Sequence, residues 1–335
     1  MNDETLDGYL DLLAAGERSG AVELATSLVR QGTDVDDVVA GLVCAAQVEV
    51  GRRWERNEWS VAQEHAATSV SEAVLSALTA EVETGDDDRS GGGRLVAVCV
   101  EGEWHTLALH VITGLVRRSG WDVTFLGPSV PAAQLARYLH DVGPDGLLVS
   151  CSISLNLPGA RRVIEASRAT GTPVLAGGRG FGADERRARF LGANAWAADG
   201  SAAVDALRDW KRFTTPAPPL THRGYAEHQA IERRTDDLVH AAFEALAGAF
   251  PPVGQYSGEQ LDRTLEDLRF LLGFLSAALL VDEPGVLDEY VAWLAVVLGS
   301  RDLPESVVPV TLEAVATATG ESLPIATGML RSCAG

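Results

Sequence analysis

An acid and a histidine two residues apart carry the most suggestive chemistry in this sequence. Glu103 and His105 follow the apolar run 94–100, whose pattern is typical of a buried β-strand. A carboxylate that accepts a hydrogen bond from one imidazole nitrogen fixes the tautomer and leaves the other nitrogen free for a metal. The ordinary alternative is a solvated histidine in a loop, and so short a stretch does not decide between them.

Small and polar residues also follow two later strand-like runs. Ser150 and Ser152 flank a cysteine at the end of one run, and Gly177 and Gly178 end the next. Hydroxyl groups at a strand end can hydrogen-bond a heterocycle, and glycines let a ligand pass close to the backbone. Each group alone is a weak signal, since a glycine pair after a strand is usually only a turn.

The elements that position these side chains are predicted by strand and helix signals that alternate between residues 94 and 212. The strand-like runs are 94–100, 121–127, 145–151, 173–177 and 194–198. Strands that alternate with helices of this length predict an α/β domain with a doubly wound, flavodoxin-like parallel sheet. Such sheets bind ligands at the carboxyl ends of their strands. We therefore expect the acid–histidine pair, the serines and the glycines to meet at that edge.

Helical segments are predicted on both sides of this sheet domain. Residues 1–84 have the apolar spacing of four helices with short connections, which predicts a four-helix bundle. Residues 222–335 predict a C-terminal all-helical domain. The stretches 85–93 and 213–221 are polar and Pro-rich linkers. The fold class is thus α/β plus all-α, in three domains.

Composition restricts the possible partners. The formal net charge of −20 argues against non-specific binding to nucleic acid or to an anionic membrane surface. No apolar run approaches the roughly 18 residues of a membrane span, and the acidic N-terminus has no signal-peptide pattern. The four cysteines are scattered, without zinc-binding spacing. We expect a cytoplasmic protein that binds neither nucleic acid nor membranes.

The residues at the sheet edge together resemble the cobalamin-binding domain of methionine synthases, mutases and corrinoid carriers. That family has acid-x-His-x-x-Gly, a serine about 40 residues later and a Gly-Gly pair about 25 further on. The matching residues here are Glu103, His105, Ser150, Gly177 and Gly178.

The resemblance implies a specific role for each of these residues. His105 would be the axial cobalt ligand, displacing the cofactor's own dimethylbenzimidazole (base-off, His-on), with Glu103 behind it. The nucleotide tail would then pass Ser150 and the glycine pair. Two positions depart from the family pattern: Ala108 replaces a glycine, which adds a methyl group beside the tail, and Ser152 replaces a leucine.

A second pattern lies in the N-terminal helices. Trp54 and the pair Glu64-His65 are separated by nine residues, in the stretch VGRRWERNEWSVAQEHAAT. This spacing resembles the signature of light-sensing adenosylcobalamin repressors, in which the bundle caps the upper face of the corrin. The resemblance implies that the tryptophan packs near the adenosyl group and that the Glu-His pair lines its pocket. Those repressors have a histidine after the tryptophan, where this chain has Glu55, so water or His65 would replace the adenosyl group.

The C-terminal helices carry no catalytic signature. The order of the three domains resembles the photocobilins, photoreceptors that carry cobalamin and a bilin, and implies non-covalent binding of a bilin such as biliverdin. Aromatic and aliphatic walls with cations would suit such a dicarboxylate tetrapyrrole. The candidate bilin contacts are His240, Tyr256, Arg269 and Tyr290. We expect His222 and His228 on a solvated helix face, and Cys333 to be an ordinary exposed thiol.

These patterns predict a light sensor rather than an enzyme. Loss of the adenosyl group in light would let the bundle shift against the sheet, a two-state change that a switch requires. The signal would leave through a homo-oligomer, such as a dimer, or through a downstream protein partner. The alternative is a corrinoid carrier in methyl transfer, whose bundle must swing away for a methyltransferase. A mutase fragment ranks lower, because the barrel domain of mutases is missing.

Overall fold

The computed structural model describes residues 2–83, 92–301 and 303–334. Helices come first, then alternating strands and helices, then helices again. Most of the predicted linker 85–93 lies outside the described residues. Within these ranges, no helix has the length and hydrophobicity that crossing a membrane requires.

The N-terminal bundle consists of four helical rods in the described part of the chain. They are α1 (Asp3–Ala14), α2 (Arg18–Arg30), a third rod that runs from α3 (Val35–Val38) through a π-helical stretch (Val39–Cys44) into α4 (Ala45–Glu55), and α5 (Val61–Glu83). Their inner faces bury Tyr9, Leu42 and Leu78 in a core of their own. A Ser-x-x-Gln capping box, predicted from the sequence, begins α5: Gln63 N–H donates to Ser60 Oγ, and Ser60 N–H donates to the Gln63 side chain.

Five parallel strands form one sheet in the order β2-β1-β3-β4-β5, the predicted flavodoxin-like order. They are β1 (Arg94–Cys99), β2 (Asp122–Gly127), β3 (Gly146–Ser150), β4 (Val174–Gly177) and β5 (Ala195–Ala197). On one face lie α6 (Leu107–Arg118) and α10 (Gly200–Arg208); on the other lie α7 (Ala132–Val142) and α8 (Leu157–Ala169), with the short α9 (Arg186–Phe190) before β5.

The strand register brings the candidate loops together. Cys99 of β1 pairs with Ser150 of β3, and Ser150 pairs with Gly177 of β4. The loops that follow these three strands therefore begin at the same level. This confirms the expectation that they meet at one edge of the sheet, beside the switch point between β1 and β3 where such folds bind ligands.

The C-terminal segment contains five α-helices among its described residues. They are α11 (Arg223–Ala249), α12 (Gly258–Val281), α13 (Gly285–Gly299), α14 (Val307–Thr319) and α15 (Pro324–Ala334). The predicted capping box at the start of α12 is confirmed, because the side chains of Ser257 and Gln260 each bond the other's backbone. The apolar spacing of the sequence thus predicts these helices well.

The C-terminal helices and the sheet domain share one continuous hydrophobic core. Val149 of β3 and Ile164 of α8 belong to the same buried cluster as Leu272 and Leu279 of α12. The buried Arg187 of α9 adds polar contacts, because it binds both Glu283 and Glu289 at 2.9 and 2.7 Å. These two segments therefore pack as one body, whereas the N-terminal bundle keeps a separate core.

Two expectations about the C-terminal helices are wrong. His228 is only 7% exposed, and its Nδ1 lies 2.8 Å from Ser276 Oγ. His222 is half-buried and donates from Nε2 to the Leu280 carbonyl at 3.0 Å. Helix α11 packs against both α12 and α14, so part of its surface that the sequence spacing predicts to be solvated is buried. Cys333 is also half-buried, and burial beside Asp288 raises the pKa of its thiol to about 12.

His228 should make the stability of the protein fall in mild acid. Burial lowers the pKa of His228; Glu232 and Ser276 oppose this, while Arg162 and His222 add to it. His228 therefore binds a proton more readily in the unfolded chain than in the folded protein. The folded protein loses stability as the pH falls through about 6.5. When the pH is lowered from about 7.5 to about 5.5, the melting temperature of the His228→Gln variant should fall by less than that of the wild type.

The matched control for this prediction is His240→Gln, since His240 is exposed on the same helix. Thermal unfolding followed by circular dichroism measures all three proteins. Equal pH dependence in the wild type and in His228→Gln would contradict the prediction.

Candidate functional site

Glu103 ties two loops together at the ligand edge of the sheet. Its carboxylate is fully buried, and Oε1 accepts hydrogen bonds from His105 N–H at 3.0 Å and from His105 Nδ1 at 2.5 Å. The other oxygen, Oε2, accepts from the backbone of Ser152 at 2.7 Å, the backbone of Ile153 at 3.1 Å and Asn156 Nδ2 at 3.2 Å. One carboxylate thus fixes the loop after β1 against the loop after β3.

These contacts shift the pKa of both groups. Burial acts to raise the pKa of Glu103, but hydrogen bonds from His105 and Ser152 outweigh it and lower the pKa overall. The hydrogen bond that His105 donates to Glu103 raises the pKa of His105, burial opposes the rise, and the charges of Glu103 and Glu64 add to it.

His105 presents a free nitrogen outward. Nδ1 is held by Glu103, whereas Nε2 has no hydrogen-bond partner among the described residues, and the side chain is 59% exposed. The described residues contain no cluster of three or more His, Cys, Asp or Glu side chains that would hold a metal ion. An imidazole that is held at Nδ1 and free at Nε2 can serve as one ligand of a metal whose other ligands come with a cofactor.

The glycine pair after β4 is explained by protein packing. Gly178 has φ +102°, and a Cβ there would lie 2.4 Å from the Cys151 carbonyl oxygen. The next loop residues follow the same path, since Gly180 N–H donates to that oxygen at 2.9 Å. Gly177 is less crowded, with the nearest atom at 3.2 Å from an added Cβ. The loop after β4 can therefore lie directly on the loop after β3.

The other predicted residues of this edge lie around the same loops. Ser150 is buried at the end of β3, and Ser152 is half-buried. Ala108 is exposed in the first turn of α6. The sequence patterns did not single out Asn156, which binds Glu103, or Trp104, which is 71% exposed beside His105. The one sequence signal that could have identified Asn156 is its place as an amide side chain soon after the third strand.

On the bundle side, Glu64 is part of a hydrogen-bonded chain. It accepts from His65 Nδ1 at 2.5 Å and from Thr68 Oγ1 at 2.9 Å. Thr68 also bonds Gln47 Oε1 at 3.1 Å, and Gln47 Nε2 donates to the buried Ser71 at 2.8 Å. This chain fixes the Glu64 carboxylate, while the His65 ring stays exposed. Gln47 and Thr68 had no recognisable signal in the sequence.

Trp54 lies outside the core of the bundle, where Trp59 is buried instead. The Trp54 ring stacks on Trp293 of α13, with centroids 5.9 Å apart and planes at 17°. The Arg301 guanidinium lies 5.3 Å from its centroid. In the described structure no hydrogen bond or ring contact joins Trp54 to the Glu64-His65 pair, although these residues belong to the same end of the bundle.

The bundle meets the sheet domain along α6. The Thr106 hydroxyl donates to the Glu72 carboxylate of α5, close to the start of α6. Arg118 at the other end of α6 forms an ion pair with Asp36 of α3. Leu107 packs against the bundle core between these contacts. Helix α5 therefore lies beside the helix that His105 precedes.

The four candidate bilin residues are not joined in this structure. Tyr290 is buried against Phe274, with ring centroids 4.0 Å apart, and burial raises its pKa. Arg269 forms an exposed ion pair, His240 is exposed, and Tyr256 packs beside a separate small apolar cluster. Among the described residues, no hydrogen bond, ion pair or ring contact connects any two of the four.

Two family models match the chain, and both are described as a B12 binding domain. One covers residues 5–79, which contain most of the N-terminal bundle. The other covers residues 93–208, which contain the whole sheet domain. The matched ranges include Trp54, Glu64, His65, Glu103 and His105.

Two known proteins are similar in sequence to this chain. Dimethylamine corrinoid protein 1 of Methanosarcina acetivorans is 26% identical over 191 residues, which are 56% of this chain and 88% of that protein. The HTH-type transcriptional repressor CarH of Myxococcus xanthus is 32% identical over 146 residues, 43% of this chain and 46% of that protein.

Among solved structures, the monomethylamine corrinoid protein of Methanosarcina barkeri matches with a TM-score of 0.53 and 19% identity. The match covers 62% of this chain and 99% of that one, and it shows the fold alone. The single outward imidazole at the ligand edge agrees with the two family matches. Geometry and comparisons together support the conclusion that this chain is a cobalamin-binding protein.

Proposed function

We propose that His105 is the lower axial ligand of a corrinoid cofactor bound base-off. The observation that carries this proposal is the imidazole itself, held at Nδ1 by a buried carboxylate and free at Nε2. When bound, the cofactor supplies a reactive cobalt–carbon bond. Glu103 accepts the hydrogen bond from Nδ1 and fixes the ring plane, so that Nε2 is the nitrogen left to bind cobalt.

The neighbouring residues would then surround the cofactor. Ser150 ends β3 and Ser152 follows it, where the nucleotide tail would pass, and Ala108 in the first turn of α6 would border that path. The close packing at Gly178 holds the loop after β4 against the loop after β3. On the opposite side, Glu64, His65 and Trp54 belong to the bundle, which would cover the reactive face.

Methyl transfer is the use that the comparisons favour, because most of the relatives compared are corrinoid proteins. In this role the chain is not itself a catalyst. It presents the upper face of the cofactor to a methyltransferase, which requires the bundle to move away from His105.

Light sensing by bound adenosylcobalamin is the second candidate. The observation in its favour is that Trp54, which belongs to the pattern of the light-sensing repressors, is held by the C-terminal helices. In this role loss of the adenosyl group lets the bundle shift. The signal passes to a protein partner or through a homo-oligomer, and biliverdin bound without a covalent bond extends the response to longer wavelengths.

Absorption spectra in the dark and after illumination separate these two uses. The purified protein is measured with adenosylcobalamin, methylcobalamin and biliverdin, each supplied alone. A spectrum and a hydrodynamic size that change irreversibly under light with adenosylcobalamin favour the sensor; no change excludes it. Recovery of methylcobalamin on purification favours the carrier. If biliverdin binds, it should give a structured red absorption band. A spectrum equal to that of free biliverdin would exclude bilin binding.

The ligand itself is tested by His105→Ala. Without the imidazole, bound hydroxocobalamin should lose the spectrum of the imidazole-ligated form, and affinity should fall by about 10- to 100-fold. His140→Ala, at an exposed histidine of α7, is the matched control. An unchanged spectrum in His105→Ala would show that His105 is not a ligand.

A further inference from the structure

We infer that the C-terminal helices act as a latch on the N-terminal bundle. The latch consists of Trp54 and Glu55 at the end of α4, and Trp293, Ser300 and Arg301 in or just after α13. Its effect on a cofactor rests on the proposed function, but the latch itself is a contact between two parts of this chain.

Three different interactions meet at this point. The Trp54 ring stacks on Trp293 and also lies 5.3 Å from the Arg301 guanidinium, which places a cation over its face. Ser300 Oγ lies 2.8 Å from the Glu55 carbonyl oxygen and donates to it. That carbonyl belongs to the last turn of α4, where no intrahelical partner is available. The end of α4 is therefore both packed and capped by residues of the C-terminal segment.

The latch attaches to a rigid body. The C-terminal helices share a continuous core with the sheet domain, and Arg187 of α9 forms ion pairs with Glu289 of α13 and with Glu283 just before it. Behind Trp293, the aromatic contacts continue inward to Tyr290 at 6.0 Å and then to Phe274 at 4.0 Å. A displacement of Trp54 would therefore remove support from a stacked row that reaches the interior of the C-terminal helices.

The contact between the bundle and the sheet domain is less complete. A cavity of about 270 Å³ lies between α6 and the bundle, lined by Leu75, Leu78 and His110 among others. Two buried atoms that border it, Thr113 Oγ1 and Arg118 Nε, have no hydrogen-bond partner among the described residues. An interface that contains a cavity and unpartnered polar groups resists a shift of its two sides less than a close-packed interface does. The latch therefore decides how freely the bundle moves over the ligand edge.

Hydrogen exchange on the full chain tests this inference. In Trp293→Ala, amides in the last turn of α4 and the first turn of α5 should exchange about tenfold faster, because the stacked pair and part of its buried area are lost. Val296→Ala changes an exposed apolar residue of the same helix and is the matched control. Unchanged exchange in Trp293→Ala, or an equal change in the control, would overturn the latch.

A second variant separates the latch from general unfolding. If Trp293→Ala exchanges faster along the whole chain, Ser300→Ala is the deciding variant, because it keeps both tryptophans and removes only a hydroxyl. That hydroxyl lies within bonding distance of the Glu55 and Val297 carbonyls and accepts from Arg301. Faster exchange confined to α4 and α5 in Ser300→Ala supports the latch. Unchanged exchange in this variant overturns it. The exchange is measured without cofactor, so failure to bind hydroxocobalamin would overturn the proposed function and leave the latch result standing.

Discussion

Glu103→Ala should lower the free energy of unfolding by about 3 kcal/mol or more and weaken hydroxocobalamin binding at least tenfold. The buried carboxylate accepts five hydrogen bonds from two loops. Its removal leaves the backbone N–H groups of Ser152 and Ile153 without an acceptor and frees the His105 ring to rotate. Urea unfolding and spectroscopic titration measure the two losses separately.

Two further variants make this prediction specific. Glu101→Ala removes a neighbouring acid whose ion pair with Arg162 is partly exposed, and it should lower stability by less than about 1 kcal/mol. Glu103→Gln keeps the size but replaces one acceptor oxygen by a donor, so it should lie between the wild type and Glu103→Ala. Wild-type affinity in Glu103→Ala would show that the carboxylate does not position the imidazole.

Gly178→Ala is expected to destabilise the protein by about 3–5 kcal/mol. Gly178 has φ +102° and ψ 155°, a region that is essentially restricted to glycine. The new Cβ would also lie 2.4 Å from the Cys151 carbonyl oxygen, which the neighbouring loop cannot easily move. Because that loop carries Ser152, cobalamin affinity should fall as well. Urea unfolding gives the free energy.

Gly171→Ala is the matched control for the clash. Gly171 also has a positive φ, +83°, but an added Cβ would meet nothing within 4 Å. This variant should therefore show backbone strain alone, about 1 kcal/mol. The difference between the two variants contains the clash with the Cys151 carbonyl and the additional backbone strain at Gly178. Equal losses would mean that the close approach of these loops is not important.

Much of the fold was predictable, because it depends on local patterns. The apolar spacing of the strands and helices and the two Ser-x-x-Gln boxes are short-range signals, and the parallel order follows from alternation. The contact between Glu103 and His105 was also predictable, since the two residues are neighbours in one loop. The meeting of the loops followed from a general property of parallel sheets.

The remaining features depend on contacts between distant elements. Asn156 reaches Glu103 only because the register sets β3 beside β1, and the stack of Trp54 on Trp293 joins helices from opposite ends of the chain. Neither contact leaves a periodic signal in the sequence. The burial of His228 was missed for a related reason, since spacing along α11 does not reveal that it packs between α12 and α14.

The shared core of the sheet domain and the C-terminal helices has a consequence for dissecting the chain. A cut within 213–221 would separate Val149 and Ile164 from Leu272 and Leu279 and leave both halves with a large apolar surface in water. Each fragment would tend to aggregate, and the intact pair should melt in a single cooperative transition. Any attempt to graft the ligand edge onto another protein must therefore transfer the helices behind it as well.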